Sequence, residues 1–360
     1  MTFTKKESNI CKGIAIFLMI FHHLFNDYEE YAGYIVSYFP FTGERITYFA
    51  LLSKICVAIF VFISGYGIAV TYEKNFAEQE VSVSRLGKFV WERYWKLMSA
   101  YWFVFILTLL CQPLGRSVIQ AYGTNVKEIV LYLVIDFLGL SFLMSTPTLN
   151  PTWWYMTIAI AVICIAPIII KLMKRYGAIL VLTIFVIITR GNQLENVLNF
   201  YLFSMVLGIV CYELKVFERI ERLGGDSKQG IIIKGGVELL ILAGLLMLRT
   251  NYNFNGIVDG LIALVISLFV MTIVKRLWIV AQGLEFLGKY SSNIFLTHNQ
   301  LYSYYFLGFF YSFKHWFVIT LVLLGVSLLL SMVIEWVKDK SSYNNKMIRI
   351  GEKVINGAIE

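Results

Sequence analysis

Two adjacent histidines close the apolar run KGIAIFLMIFHHLF, residues 12–25, and a lysine opens it. On a helix, the eleven residues from Lys12 to His23 turn through about 1100°, about 20° beyond three full turns, so the two side chains share one face. At a rise of 1.5 Å per residue they are roughly 16 Å apart along the axis, about half the thickness of a bilayer's hydrocarbon core. His22 points elsewhere. Asp27, one turn beyond His23, is able to orient an imidazole and stabilise its charged form; its alternative is a solvated place in the acidic stretch NDYEEY. Lys12 by itself reads as an interfacial lysine whose stem lies along apolar surface. A histidine inside a span reads differently, because ionisable groups within a membrane are costly and mark functional sites.

A second such histidine ends GKYSSNIFLTHNQ, residues 288–300. His298 follows Lys289 by nine residues, which gives it a mid-membrane depth, and Ser291, seven residues earlier, shares its helical face. Two imidazoles at one depth form a candidate proton-handling centre, since histidine titrates near neutrality and serves as a general base. His315 follows Lys314 at a loop edge and reads as interfacial. In WERYWK, residues 91–96, Arg93 and Lys96 are three apart and can close on one anionic group. With Lys12 they make three cations at the inner leaflet, suited to a polyphosphate headgroup; anchoring by aromatic and basic residues is the competing reading. FVFISGYG, residues 60–67, offers Ser64 beside the small Gly65, for close helix packing or for access of a ligand to backbone. Trp153 and Trp154, in LNPTWWYM, suit either a sugar-stacking floor or an interfacial anchor.

The elements that carry these residues must be membrane helices. The chain has 360 residues, 58% hydrophobic and only 15% charged, with a mean hydropathy of +0.71. A soluble domain is about 45–50% apolar and about 25% charged, so the fold class is all-α, a polytopic helical membrane protein. Apolar runs near 12–26, 48–72, 94–112, 128–144, 153–171, 177–190, 198–214, 231–249, 256–274, 288–312 and 315–337 are the candidate spans. The run 128–144 holds Asp136 and is followed by no basic residue. If it enters the membrane and returns, 24 of the lysines and arginines fall on the inner side and 7 on the outer. The expectation is about ten transmembrane helices plus one re-entrant or interfacial segment at 128–144, with both termini cytoplasmic. Residues 1–337 then form a single membrane domain and 338–360 a short tail.

The net charge of +8 sits in short clusters between apolar runs, so topology accounts for it and no nucleic acid partner is expected. Cys11, Cys56, Cys111, Cys164 and Cys211 are far apart, without metal-ligand spacing, and read as small core residues; no metal is expected. No small-residue cleavage site follows the first run, so it reads as a retained span.

The order of these elements resembles acyltransferase family 3, polytopic enzymes that acylate sugars, lipid-linked glycans and other hydroxyl-bearing molecules at bacterial surfaces. The family's pattern of a basic residue, ten residues and a histidine is met by Lys12 and His23, with lysine for the usual arginine. Its Ser-Gly element is met by Ser64 and Gly65. Its Arg-x-x-Arg pair is met by Arg93 and Lys96, its tryptophan element by TWWYM, and its Gly-Lys-x-Ser element ending in histidine by Gly288, Lys289, Ser291 and His298. The resemblance covers about residues 8–335. Many relatives carry a glutamate where this chain has Ala159, so no carboxylate is carried over there.

The resemblance implies a membrane O-acyltransferase that moves an acyl group, acetyl by likeness to the family, from cytoplasmic acyl-CoA to a hydroxyl of a cell-envelope saccharide or lipid-linked glycan. His23 and His298 would be catalytic. Lys12, Arg93 and Lys96 would bind the donor, and Ser64, Gly65, Trp153, Trp154 and Ser291 would shape the substrate cavity. The expected place is the bacterial cytoplasmic membrane, with lipid as a partner and a homo-oligomer left open. The alternative reading is a polytopic transporter or flippase of a saccharide or lipid-linked intermediate, against which stands the absence of a detectable internal repeat.

Overall fold

The computed structural model describes residues 3–76, 82–112, 115–191, 197–223, 227–251 and 255–357. In chain order the helices are α1 (Lys5–Phe25), α2 (Gly43–Leu52), α3 (Cys56–Phe76), α4 (Val83–Cys111), α5 (Val118–Tyr122), α6 (Val126–Phe137), α7 (Trp154–Tyr176), α8 (Ala178–Gly191) and α9 (Val197–Glu213). They continue as α10 (Val216–Arg222), α11 (Lys228–Asn251), α12 (Asn255–Thr272), α13 (Trp278–Lys289), α14 (Ser291–Asn299), α15 (Leu307–Tyr311), α16 (Trp316–Lys340) and α17 (Tyr343–Gly357). No strand forms among the described residues, so the all-α expectation holds; one isolated bridge pairs Ser37 with His315.

Seven helical stretches among the described residues are long and apolar enough to cross a membrane: Lys5–Phe25, Gly43–Phe76, Val83–Cys111, Pro151–Tyr176, Lys228–Thr250, Gly256–Arg276 and Trp316–Lys340. The pair Phe200–Glu213 and Val216–Arg222, bent by 61°, brings the number to eight if it is one span. The expected count of about ten is not confirmed among the described residues, for local reasons. The run 177–190 forms only the short α8. The run 198–214 is followed by a break at Lys215, whose φ of 50° is left-handed. The run 288–312 is divided among the end of α13, α14, a π-helix at Gln300–Tyr305 and α15. The doubtful run 128–144 forms α6, whose 12 residues rise only about 18 Å, short of a bilayer's roughly 30 Å core. The stretch read as a tail continues α16 to Lys340 and then forms α17; residues 358–360 lie outside the described residues.

Two compact units divide the chain. The first comprises Met1–His22, Phe49–Glu80 and Cys164–Ser291. Its helices meet backbone to backbone at glycines. A Cβ on Gly65 of α3 would strike the Met205 carbonyl of α9, and a Cβ on Gly208 of α9 would strike the Phe62 carbonyl of α3. The same holds for Gly13 of α1 against the Leu284 carbonyl, and for Gly288 of α13 against the Asn9 carbonyl. Missing side chains let membrane helices approach until dispersion forces act along their whole lengths. Around these contacts Phe3, Tyr66 and Phe217 form an aromatic cluster, with Phe3 stacked on Phe217 at 4.7 Å.

The second unit comprises His23–Tyr48, Val81–Ile163 and Ser292–Glu360. Its core is built on α4, where Met98, Tyr101, Trp102 and Phe105 pack with Tyr122, Trp153, Met156, Leu296 and Ile334. α17 crosses α4 and accepts hydrogen bonds from it: Trp91 Nε1 donates to the Gly351 carbonyl at 3.2 Å and Trp95 Nε1 to the Met347 carbonyl at 2.6 Å. α6 ends because Gly139, at φ 70°, closes a Schellman turn. The Leu140 N–H reaches the Ile135 carbonyl at 3.1 Å and the Gly139 N–H reaches the Asp136 carbonyl at 2.8 Å. Thr157 Oγ1 then donates to the Gly139 carbonyl at 2.8 Å, fixing the reversal against α7.

Candidate active site

Of the residues singled out in the sequence, the second unit brings two together. His23, in the last turn of α1, and His298, in α14, have ring centroids 5.1 Å apart at an interplanar angle of 42°. His298 is 0% exposed, whereas His23 is half-buried. The Nδ1 of His298 lies 2.8 Å from the Phe295 carbonyl and 3.2 Å from that of Ile294. A carbonyl only accepts, so Nδ1 carries a proton and the neutral ring keeps its basic lone pair on Nε2. His22 is fixed in a similar way, with Nδ1 2.8 Å from the Ala50 carbonyl in the first unit, and serves as a latch between α1 and α2.

The end of α1 leaves carbonyls without helical partners, and two tyrosines supply them. Tyr302 Oη donates to the His23 carbonyl at 3.1 Å, and Tyr311 Oη to the Leu24 carbonyl at 2.8 Å. Tyr302 sits in the π-helix directly after His298 and Asn299, and its ring centroid is 6.5 Å from that of His298. π-Helical turns are rare and frequent at functional sites. Here the widened turn links both histidines through one side chain.

α14 is held at both ends. At its start Asn293 Nδ2 donates to Glu335 Oε1 at 2.7 Å, while the buried Lys338 Nζ donates to Asn293 Oδ1 at 3.1 Å and to Glu335 Oε1 at 2.9 Å. At its end the Leu296 carbonyl accepts from Trp153 Nε1 at 3.0 Å and from Asn150 Nδ2 at 3.4 Å. Asn299 Nδ2 donates to Asn150 Oδ1 at 2.9 Å, and Gln300 Nε2 to the Leu149 carbonyl at 3.4 Å.

The expected cavity residues fare differently. Trp153 is 1% exposed and packs beside Tyr101 and Phe105, with its indole N–H bonded to the Leu296 carbonyl, so it stands in the core of the second unit. Trp154 is half-buried beside Phe142 and Tyr155. Gly65 is taken up by contact with α9, and its neighbour Ser64 is exposed on α3. Ser291 is buried at the start of α14, the helix that carries His298. Arg93 lies over the Phe89 ring at 4.5 Å and is half-buried, while Lys96 is exposed. Three residues apart on α4, they point about 60° from each other. Lys12 is half-buried and belongs to the first unit. The fixed residues Tyr302, Asn150 and Asn299 were not singled out in the sequence; the signal for Asn299 was THNQ, four polar residues within an apolar run. Among the described residues no group of three or more His, Cys, Asp or Glu could hold a metal ion.

Asp136, noted in the sequence only as a reason to doubt a span, proves to be 0% exposed. Burial raises its carboxyl above the usual range, while donors from Tyr122, Leu149, Thr148 and Tyr101 pull in the opposite direction.

The family model of the acyltransferase domain, acyltransferase family 3, matches residues 6–336 of the chain. No curated protein matches it at a significant level.

Proposed function

Because the chain belongs to acyltransferase family 3, and is therefore a membrane acyltransferase, we propose that it transfers an acetyl group from acetyl-CoA to a hydroxyl of a cell-envelope saccharide or lipid-linked glycan. The observation that carries this reading is the paired imidazoles, 5.1 Å apart, one of them with its tautomer fixed. His23, the more accessible of the two, takes the proton of the acceptor hydroxyl. The oxygen attacks the thioester carbonyl, the C–S bond breaks, and the departing thiolate leaves as the thiol of coenzyme A with the proton returned by the imidazolium. His298 stands beside it and spreads the positive charge. A variant of the same chemistry has His23 carry the acetyl group transiently before it reaches the acceptor.

The donor's phosphates fall to Arg93 and Lys96 on α4, where two cations on neighbouring faces fit one anionic group. Lys12, on the same stripe of α1 as His23, is assigned independently to the donor. Trp154 and Ser291 are kept as acceptor-side candidates. The proposed setting is the bacterial cytoplasmic membrane, with both termini and the donor on the cytoplasmic side and the acceptor outside.

Purified protein in liposomes, given radiolabelled acetyl-CoA and cell-envelope glycans, tests this. Label should appear on a glycan with wild type and be absent with His23→Ala. A wild-type protein that neither binds acetyl-CoA nor releases free CoA with any acceptor overturns the donor and leaves the transporter reading to be tested by glycan flux.

A further inference from the structure

A carboxylate enclosed in protein is costly unless its lone pairs are met by donors. Asp136 satisfies that condition with unusual completeness. Tyr122 Oη lies 2.7 Å and the Leu149 N–H 2.8 Å from Oδ2, Thr148 Oγ1 lies 2.9 Å from both oxygens, and Tyr101 Oη, 2.8 Å from the Asp136 main-chain carbonyl, also comes within 3.2 Å of Oδ1. The donors come from α4, α5 and the loop before Trp153. Two of them, Thr148 and the Leu149 N–H, belong to that loop and are gripped directly. Arg116 supports the same loop, with Nη1 3.1 Å from the Thr148 carbonyl.

The residue after this grip is Asn150, 0% exposed, whose amide joins the Leu296 carbonyl and Asn299 on the two sides of His298. The Leu149 carbonyl accepts from Gln300, two residues beyond the histidine. Five consecutive residues, Leu296 to Gln300, therefore carry His298 between contacts to a loop that hangs on one carboxylate. We infer that Asp136 is a positioning residue for His298: its carboxylate fixes the Thr148–Asn150 loop, and that loop fixes the helical turn on which the histidine stands. This gives the short α6 a purpose that does not require crossing the membrane, since it delivers a carboxyl group to a point that three other elements meet. The assignment rests on His298 taking part in acyl transfer.

An amide in place of the carboxylate keeps the volume but turns an NH2 toward donors that need an acceptor. The test therefore compares wild type with Asp136→Asn in liposomes by two readouts. The first is turnover with acetyl-CoA. It should fall about 10- to 100-fold, the scale for a reacting group displaced by up to an ångström, with KM for the donor within about twofold, because the variant leaves Arg93 and Lys96 untouched. The second is carbethoxylation of His298 by diethyl pyrocarbonate, read by mass spectrometry relative to His22. His22 is also buried and bonded to a carbonyl, but it lies in the other unit, so it reports general loosening.

The ratio of His298 to His22 modification should rise in Asp136→Asn. An unchanged ratio, or equal rises at both histidines, overturns the positioning role. A raised ratio with wild-type turnover overturns its part in the reaction. If Asp136→Asn does not assemble, Tyr122→Phe removes a single donor to Oδ2 and should move both readouts the same way by a smaller factor; no movement there overturns the inference. Wild-type turnover by His298→Ala would instead sink the catalytic reading of the histidine, and the modification ratio would still decide the link to Asp136.

Discussion

The two units solve the same problem, that of holding helices in place without a hydrophobic drive from water, by opposite means. The first relies on what is missing: Gly65, Gly208, Gly13 and Gly288 bring backbones to van der Waals contact, and the fit is all or nothing. The second relies on what is added. Asp136, Asn150, Trp153, Asn299 and Lys338 tie loop and helix ends by directed hydrogen bonds, each of which fixes an angle as well as a distance. Glycine contacts give rigid placement of whole helices, whereas polar ties give placement of a single turn. The histidine pair lies where the second kind prevails.

The largest effect that sharpens this contrast is expected at the pair itself. His23→Ala should lower acyl transfer by about 10²- to 10⁴-fold, the usual contribution of a general base. Normal assembly, checked by size-exclusion chromatography, should accompany that loss. Gly208→Leu should break the first unit instead: its Cβ would collide with the Phe62 carbonyl, and overpacking of this kind costs about 1–3 kcal/mol or more. A thermal-unfolding midpoint equal to wild type would show that α3 and α9 have room to separate. Arg93→Ala should raise KM for acetyl-CoA about tenfold, the equivalent of one charge-assisted hydrogen bond, with kcat little changed; a fall in kcat alone would move Arg93 from binding to positioning. Ser64→Ala should change turnover by less than about twofold, since the hydroxyl is exposed on α3. A large loss there would restore Ser64 to the substrate cavity.

The histidine pair is legible in the residues alone, most of the ties that hold it are not, and the boundary between the two is physical. His23 and His298 stood out because an ionisable group in an apolar run is expensive, and Asp136 marked a segment that forms a helix too short to cross. Helix breaks did not show, because hydropathy averages over a window and is blind to a left-handed Lys215 or a π-helical turn at Gln300–Tyr305. For Trp153 the sequence leaves a sugar-stacking floor and an interfacial anchor both open; its burial beside Tyr101 and Phe105 depends on α4, distant in sequence. Tyr302 could not be chosen from among 22 tyrosines, since what distinguishes it is the carbonyl that its hydroxyl reaches.

The tyrosine bonds at the end of α1 bear on how the protein tolerates its lipid. A helix answers a thicker or thinner bilayer by tilting, and tilt alone would carry His23 away from a partner fixed on another helix. Tyr302 and Tyr311 tie the His23 and Leu24 carbonyls to the stretch that continues from His298, so the end of α1 is bonded to the element that carries the second imidazole. Turnover in vesicles of short and long acyl chains should accordingly stay nearly level, and Tyr302→Phe should make it depend on bilayer thickness.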